Sequence, residues 1–221
     1  MPIIYGGTND GHCSHGLASW VISRRGVGNG FDSNNQRDAN AVYNYYHSGR
    51  GTWGIYRAFF EFDTSGISSA PSSATLKIYG YSRAEGDLIV VKSEQGGTLA
   101  AGDFNSFSSA VNTVIASSDG SGAGTLAGVS GFTYSSEITT WSTSGYNEIA
   151  LNSDALSDMA SLDTFKICLM NHDNDYLDQA GTTIERNGVY WAEGLTATDP
   201  LIDYTAAVTT RDNAVFFGTN F

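Results

Sequence analysis

The sequence predicts an all-β protein, built as a sandwich or a barrel of antiparallel strands. Three observations support this fold class. Short runs of alternating apolar and polar residues recur along the chain, clusters of Gly, Ser, Asn and Asp separate them, and helix signals are few. Many short strands with polar turns are typical of sandwiches and barrels. The length of 221 residues is sufficient for one such domain.

The first predicted strand covers residues 10–22 and contains the sequence His12-Cys13-Ser14-His15. Histidine and cysteine residues this close together suggest two functional alternatives, a metal site or a catalytic cysteine–histidine pair. On a strand, however, His12 and Ser14 point to one face, while Cys13 and His15 point to the other. Zinc sites also need further ligands at a recognisable spacing. We therefore interpret this segment as a strand without catalysis or metal binding.

The clearest alternation lies in residues 57–63, where one face is apolar: Ala58, Phe60 and Phe62. Residues 75–81 alternate in the same way, and their second face carries amphipathic side chains: Lys77, Tyr79 and Tyr81. Further predicted strands cover residues 87–92, 146–152, 164–170 and 201–205. Because each of these runs favours one buried face, we expect antiparallel sheets that pack over a shared core.

Helices are expected to be short. Residues 104–117 and 153–161 can each hold a turn or two, and Ser153 or Asp154 is the predicted N-cap of the second. Residues 117–131 are rich in Ser and Gly and are predicted to form a loop. No linker divides the chain, so we expect one sandwich domain over residues 1–207 and a C-terminal tail over residues 208–221.

The predicted tail contains four large apolar side chains in a polar stretch: Val215, Phe216, Phe217 and Phe221. Exposed aromatic side chains are costly, because their burial releases roughly 1.5–3 kcal/mol each. We therefore expect the tail to dock on its own sandwich or on a neighbouring subunit.

The composition limits the classes of partner. Only 15% of the residues are charged, and the formal net charge is −12. Nucleic-acid and anionic membrane surfaces require clustered Lys and Arg, so we expect neither partner. No apolar run approaches the ~18 residues of a membrane span, and the opening Met1–Tyr5 lacks the features of a signal peptide. Cys13 and Cys168 form one disulfide or none, and the sequence leaves both alternatives open.

Five segments carry a family resemblance: "DGHCSHGLASWVISRRGVGNG", "IYRAFFEFDTSGI", "SATLKIYGY", "TWSTSGYNEIALN" and "DPLIDYT". In this order they resemble the DNRLRE-domain family, whose members are jelly-roll β-sandwiches related to carbohydrate-binding modules. The matching positions are core and turn residues: Arg57 to Asp63, Ala74, Leu76, Trp141, Pro200, Ile202 and Tyr204. The resemblance implies an antiparallel jelly-roll β-sandwich and transfers no catalytic residues.

An acidic segment, residues 171–178, follows a predicted apolar strand and carries Asp173, Asp175 and Asp178. Closely spaced carboxylates supply the oxygen ligands that calcium prefers. The alternative is an acidic, solvated loop whose side chains cap turns. We take Ca²⁺ as the candidate cofactor, with these three aspartates as its ligands.

An aromatic segment, residues 40–57, groups five large rings: Tyr43, Tyr45, Tyr46, Trp53 and Tyr56. Exposed aromatic rings stack on sugars, and Tyr and Trp are also enriched in protein interfaces. The rings could form a carbohydrate-binding surface. The alternatives are a long loop that folds its rings over the edge of the sandwich, or an oligomer interface, and we favour the interface over the glycan site.

These observations predict a non-catalytic surface component of a bacteriophage particle, in the form of a capsid decoration, tail or fibre protein. Its partners would be other virion proteins, copies of itself as a trimer or another homo-oligomer, and host surface glycans. The alternative is a secreted carbohydrate-binding module of a polysaccharide-degrading system. An enzyme is not expected, because the carboxylates Glu61, Glu85 and Asp87 lie on separate strands and nothing brings them to the spacing of a glycosidase pair.

Overall fold

The computed structural model describes residues 2–33, 35–193 and 197–207, and antiparallel strands dominate it. Strands account for 41% and helices for 16% of the structure, and the sheet does not close, which confirms the predicted all-β sandwich fold. The strands are β1 (Ile3–Tyr5), β2 (Gly11–Leu17), β3 (Gly30–Asp32), β4 (Arg37–His47), β5 (Thr52–Asp63), β6 (Ser73–Ala84), β7 (Leu88–Lys92), β8 (Tyr146–Ala150), β9 (Thr164–Asn171), β10 (Glu185–Tyr190) and β11 (Leu201–Thr205).

The helices are short, as expected. They are α1 (Trp20–Arg25), a 3₁₀ helix (Ala101–Asn105), α2 (Ser109–Ile115), α3 (Ser153–Ser161) and a π-helical turn (His172–Tyr176). Asn152 is the N-cap of α3 rather than Ser153 or Asp154, because its side-chain oxygen accepts a hydrogen bond from Ala155 N at 3.0 Å.

The two long strands β5 and β6 organise the sheets, because each pairs with three neighbours. One edge of β5 pairs with β2, and its other edge pairs first with β4 and then with β9. Likewise β6 pairs with β8 along one edge and with β11 and β10 along the other. This gives one layer of β1, β11, β6 and β8 and a second layer of β3, β2, β5, β9 and β7, joined through β4 and β10.

The sandwich core lies between the two layers and follows the predicted alternation. Ala58, Phe60 and Phe62 of β5 face Leu76 and Ile78 of β6, and all five side chains are buried. Burial of this apolar surface is the main favourable term in folding.

A second core lies on the opposite face of the β2–β5–β9–β7 layer. Residues 93–132, with the 3₁₀ helix and α2, and the separate helix α1 cover that face. Strands β5, β7 and β9 therefore contribute to both cores: in β7, for example, Val90 lies in the sandwich core and Val91 in the second core. The predicted loop over residues 117–131 thus forms part of a packed cover.

The strand predicted over residues 10–22 is in part wrong, since β2 ends at Leu17 and α1 begins at Trp20. The side chain of Ser19 caps this helix by accepting a hydrogen bond from Ile22 N at 3.2 Å. The β-branched residues Val21 and Ile22 favour a strand locally. Burial of Trp20 in the second core outweighs that preference.

Candidate functional site

The five aromatic residues of the segment 40–57 lie on the hairpin of β4 and β5, so the alternative of a long loop is wrong. Tyr43 pairs with Tyr56 and Tyr46 with Trp53. Because Trp53 and Tyr56 are an odd number of positions apart on β5, they face opposite sides of the sheet. The hairpin therefore divides the rings between two surfaces, and they do not form one site.

Tyr43, Tyr45 and Tyr56 continue the interior face of the sandwich at its open end. The rings of Tyr43 and Tyr45 stack with centroids 4.8 Å apart and an interplanar angle of 24°, and Tyr43 contacts Tyr56 edge-on at 5.3 Å. Tyr45 lies flat on Gly54, where an added Cβ would come within 2.0 Å of the ring. Only a glycine permits this close approach of the ring to the strand.

Tyr46 and Trp53 lie on the other side of the hairpin, with ring centroids 4.5 Å apart. Trp53 packs against the second core, and its indole nitrogen donates a hydrogen bond to Gly181 O at 3.1 Å. This pair closes the edge of the second core.

A larger aromatic surface, here called the tyrosine face, lies on the outer side of the β8–β6–β10–β4 strands. Its members are Tyr79, Tyr81, Tyr146, Tyr190 and Arg37. Neighbouring tyrosine rings lie 5.2–5.7 Å apart and stand nearly at right angles, with interplanar angles of 77°, 84° and 77°. All four tyrosines are partly exposed, and Arg37 is exposed.

Hydrogen bonds fix the rings of the tyrosine face. The Tyr79 hydroxyl donates to Ser144 O at 2.9 Å, and the Tyr146 hydroxyl donates to Asp199 O at 2.9 Å. Arg37 donates through Nη1 to the Tyr190 hydroxyl at 3.2 Å, and its guanidinium lies 4.4 Å from the centroid of the Tyr81 ring. The surface is therefore ordered before any partner binds.

The sequence predicts the shared face of two of the five residues. Alternation puts Tyr79 and Tyr81 on the face of their strand opposite Leu76 and Ile78. Tyr146, Tyr190 and Arg37 come from three other strands, and only the pairing of Tyr79 with Tyr146 and of Tyr190 with Arg37 brings them together.

The acidic segment does not converge on one ion. Asp175 is completely buried and binds two arginines: Arg57 through Nε at 2.6 Å and Nη2 at 2.7 Å, and Arg24 through Nε at 3.1 Å. Burial by itself raises the pKa of Asp175, but the attraction and hydrogen bonds of Arg57 and Arg24 outweigh it and lower that pKa below its usual value. Asp175 is thus an ion-pair partner, not a free calcium ligand.

Asp178 is also buried, and it accepts hydrogen bonds from Trp20 Nε1 at 3.0 Å and from Gly124 N at 2.8 Å. It lies 3.4 Å from Arg24 Nη1. We call Arg24, Arg57, Asp175 and Asp178 the buried ion-pair network.

The third predicted ligand, Asp173, is exposed and contacts the Nδ1 atom of His172 at 2.8 Å. The three aspartates therefore do not share a site, because the buried arginines take up two of them. Calcium binding at this segment stays a prediction, and Asp173 is its accessible carboxylate.

Cys13 and Cys168 are both buried and free. Burial, with the nearby charge of Asp103, raises the pKa of Cys13 to about 12, and burial raises the pKa of Cys168. Both thiols are protonated at neutral pH, and a protonated thiol is a poor nucleophile. Cys13 lies in the second core, in agreement with the interpretation of its segment as a strand.

Asp10 is a buried carboxyl without an arginine partner. It accepts a hydrogen bond from Ala192 N at 2.5 Å through Oδ2, while its Oδ1 has no partner among the described residues. Burial raises the pKa of Asp10 to about 7, although the bond from Ala192 lowers it. Nearby, His12 Nδ1 lies 2.6 Å from Asp38 Oδ2.

The predicted tail residues Val215, Phe216, Phe217 and Phe221 lie outside the described residues. Their docking stays a prediction.

Comparison with known proteins gives no family for this chain. No protein-family model matches it, and a search of the curated proteins found no similar sequence. The resemblance to the DNRLRE-domain family therefore stays an expectation from the sequence. Within the described residues, no helix has the length and apolar character needed to span a bilayer.

Proposed function

We propose that this chain is a non-catalytic surface component of a bacteriophage particle, and that copies of it contact one another through the tyrosine face. The observation that carries this proposal is the ordered surface of four tyrosines and Arg37 on the outside of the sandwich. Tyr and Arg are enriched in protein interfaces and supply much of their binding energy. The assignment to a particle rests on the sparsely charged, acidic composition.

Ring geometry favours a protein partner over a glycan at this surface. Because neighbouring rings are nearly perpendicular, they present edges and faces in alternation. Such a surface accepts the side chains of a protein better than successive sugar rings that lie flat. Arg37 adds an exposed positive charge in a chain of net charge −12, and it complements the acidic surface of a second copy.

The environment of the reactive side chains supports the non-catalytic part of the proposal. The two thiols are buried and protonated, and Asp175 binds two arginines inside the second core. Groups in these positions have no access to a substrate.

A second candidate function is that of a secreted carbohydrate-binding module that binds through the hairpin. The nearly parallel rings of Tyr43 and Tyr45, at 24°, favour it. Parallel, partly exposed rings offer the flat apolar face on which a sugar ring can stack.

The two functions are separated by one matched pair of variants. We expect sedimentation velocity to show an oligomer for the wild type, a monomer for the double variant Arg37→Ala/Tyr81→Ala, and an unchanged oligomer for the control Tyr43→Ala. A wild-type monomer at every concentration measured would overturn the self-association proposal. Glycan-array binding that Tyr43→Ala removes and the double variant retains would establish the second candidate instead.

A further inference from the structure

A histidine and two carboxylates converge on the surface beside the π-helical turn. His172 Nδ1 lies 2.8 Å from Asp173 Oδ1 and 3.3 Å from Glu137 Oε1, and one ligand atom from each of the three residues lies within 4.8 Å of the others. His172 and Asp173 directly follow β9, whereas Glu137 belongs to the segment that bridges to β7 through Ile138 and Leu88. The cluster thus joins two distant parts of the chain.

The histidine is held in place before any ligand binds. Its backbone nitrogen donates a hydrogen bond to Asp87 O at 2.8 Å. Its ring stacks on Tyr176 at 5.5 Å with an interplanar angle of 22°, and the Tyr176 hydroxyl lies 2.9 Å from Thr133 Oγ1. The side chain is only 14% exposed. A fixed ring nitrogen of this kind is what a metal site requires of its ligand.

Access from solvent is provided by the two carboxylates. The side chains of Asp173 and Glu137 are 55% and 40% exposed. Glu137 also lines a cleft of ≈ 300 Å³ beside β8. An ion can therefore reach the cluster without any rearrangement of the fold.

The separations fit a first-row divalent metal. Bonds of about 2.0–2.1 Å place neighbouring ligand atoms about 3.3 Å apart in a tetrahedron and about 3.0 Å apart in an octahedron. The two separations from Nδ1, 2.8 and 3.3 Å, agree with this spacing.

We propose that Glu137, His172 and Asp173 bind one divalent transition-metal ion of the zinc type, with water in the remaining positions. The nitrogen ligand decides the class of ion, because calcium and magnesium take oxygen ligands whereas zinc takes imidazole readily. The bound ion links the π-helical turn to the segment beside β7, so it stabilises the folded state by mass action. Without metal, the contact of His172 Nδ1 with Asp173 Oδ1 at 2.8 Å holds the same arrangement.

The test uses the full chain without an affinity tag, dialysed against chelator and checked to be metal-free. Titration calorimetry with zinc chloride should show one site, and zinc should raise the melting temperature more than equal concentrations of calcium or magnesium. His172→Gln should weaken binding by roughly 10-fold or more. The matched control His47→Gln replaces an exposed histidine on the β4–β5 hairpin, and it should bind as the wild type does.

Asp173→Asn provides a second variant at an exposed position, so a folding defect of His172→Gln would not leave the proposal undecided. We expect it to weaken zinc binding as well. Absence of zinc binding by the metal-free wild type would overturn the proposal in favour of a plain histidine–carboxylate ion pair. The proposal would also be overturned by zinc binding that neither variant weakens, or by calcium raising the melting temperature as much as zinc does.

Discussion

The two cores lie on opposite faces of one sheet, and both are apolar, but only the second has charged residues packed beside it. Alternate residues of β5 serve both, with Phe60 in the sandwich core and Phe59 in the second core. The sandwich core consists of aliphatic and aromatic side chains. The second core has the buried ion-pair network beside its apolar side chains. The difference shows that one strand can place only apolar side chains on one face, and both apolar side chains and an ion-paired arginine on the other.

The buried ion-pair network positions residues 93–132, the segment that covers the second core. Arg57 donates to Phe104 O at 2.8 Å and Arg24 donates to Gly124 O at 2.9 Å, so both arginines bind the backbone of residues 93–132. Such bonds require one arrangement of the cover, whereas apolar contacts tolerate several. We infer that the network contributes more to the uniqueness of this arrangement than to net stability, because removal of charges from water offsets much of their attraction.

The largest expected effect is that of breaking the network. Arg57→Ala should lower the free energy of unfolding by about 3–5 kcal/mol, since it leaves Asp175 buried without its main partner. Urea denaturation at pH 7 measures the loss. Arg50→Ala, at an exposed arginine in the turn between β4 and β5, is the control and should leave the urea midpoint nearly unchanged. Equal small effects of both substitutions would show that the network carries no special energetic role.

A cavity in the sandwich core should lower the free energy of unfolding by about 3 kcal/mol, within the usual range of leucine-to-alanine replacements. Leu76→Ala tests this, because Leu76 is fully buried between the layers. The loss should be the same at low and high salt, since no charge is involved. A loss for Leu76→Ala that changes with salt would contradict the division of the two cores by chemistry.

Two of the buried carboxyls, those of Asp175 and Asp10, should respond to pH in opposite directions. Asp175, with its lowered pKa, contributes stability that is present above the unfolded value near 3.8 and is lost as the pH falls below it. The pKa of Asp10 is raised from 3.8 to about 7. Asp10 therefore makes the folded state less stable as the pH rises from about 4 to about 7, because its carboxyl ionises at a lower pH in the unfolded chain.

Asp10→Asn removes this cost. The variant should be more stable than the wild type by up to about 4 kcal/mol above pH 8, the equivalent of a pKa shift of about three units, and similar to it below pH 4. Melting curves across this pH range measure the difference, with the exposed Asp163→Asn as the control. A constant difference at all pH values would mean that Asp10 ionises normally in the folded protein.

The smallest effect is expected at the surface. Lys77 pairs with Glu148 at 3.0 Å and with Asp203 at 2.8 Å at the border of the tyrosine face. Glu148→Gln leaves one partner, and exposed pairs are screened by solvent and salt. We expect no measurable change in the urea midpoint. A clear decrease of the urea midpoint would show that the Lys77–Glu148 pair contributes to stability, as the buried ion-pair network does.

The candidate surfaces were predictable only in part. The alternation of residues 75–81 put Tyr79 and Tyr81 on one face of their strand, opposite Leu76 and Ile78, whereas the use of Asp173 as a metal ligand stays a prediction. The partners could not be predicted, because Arg57 lies 118 residues from Asp175 and Glu137 is separated from His172 by strands β8 and β9 and helix α3. No local pattern in a sequence reports contacts over such separations.

The sequence by itself determined the two faces of the strands with clear alternation, at residues 57–63 and 75–81, since alternation with period two shows which residues share a face. Only the tertiary structure decided what covers each face. Arg57, Phe59 and Glu61 share one face of β5 by periodicity, yet Arg57 and Phe59 are completely buried while Glu61 is partly exposed. The physical reason is that periodicity reports the orientation of a side chain relative to its own strand. Its environment depends on where residues 93–132 fold back, and long-range packing decides that position.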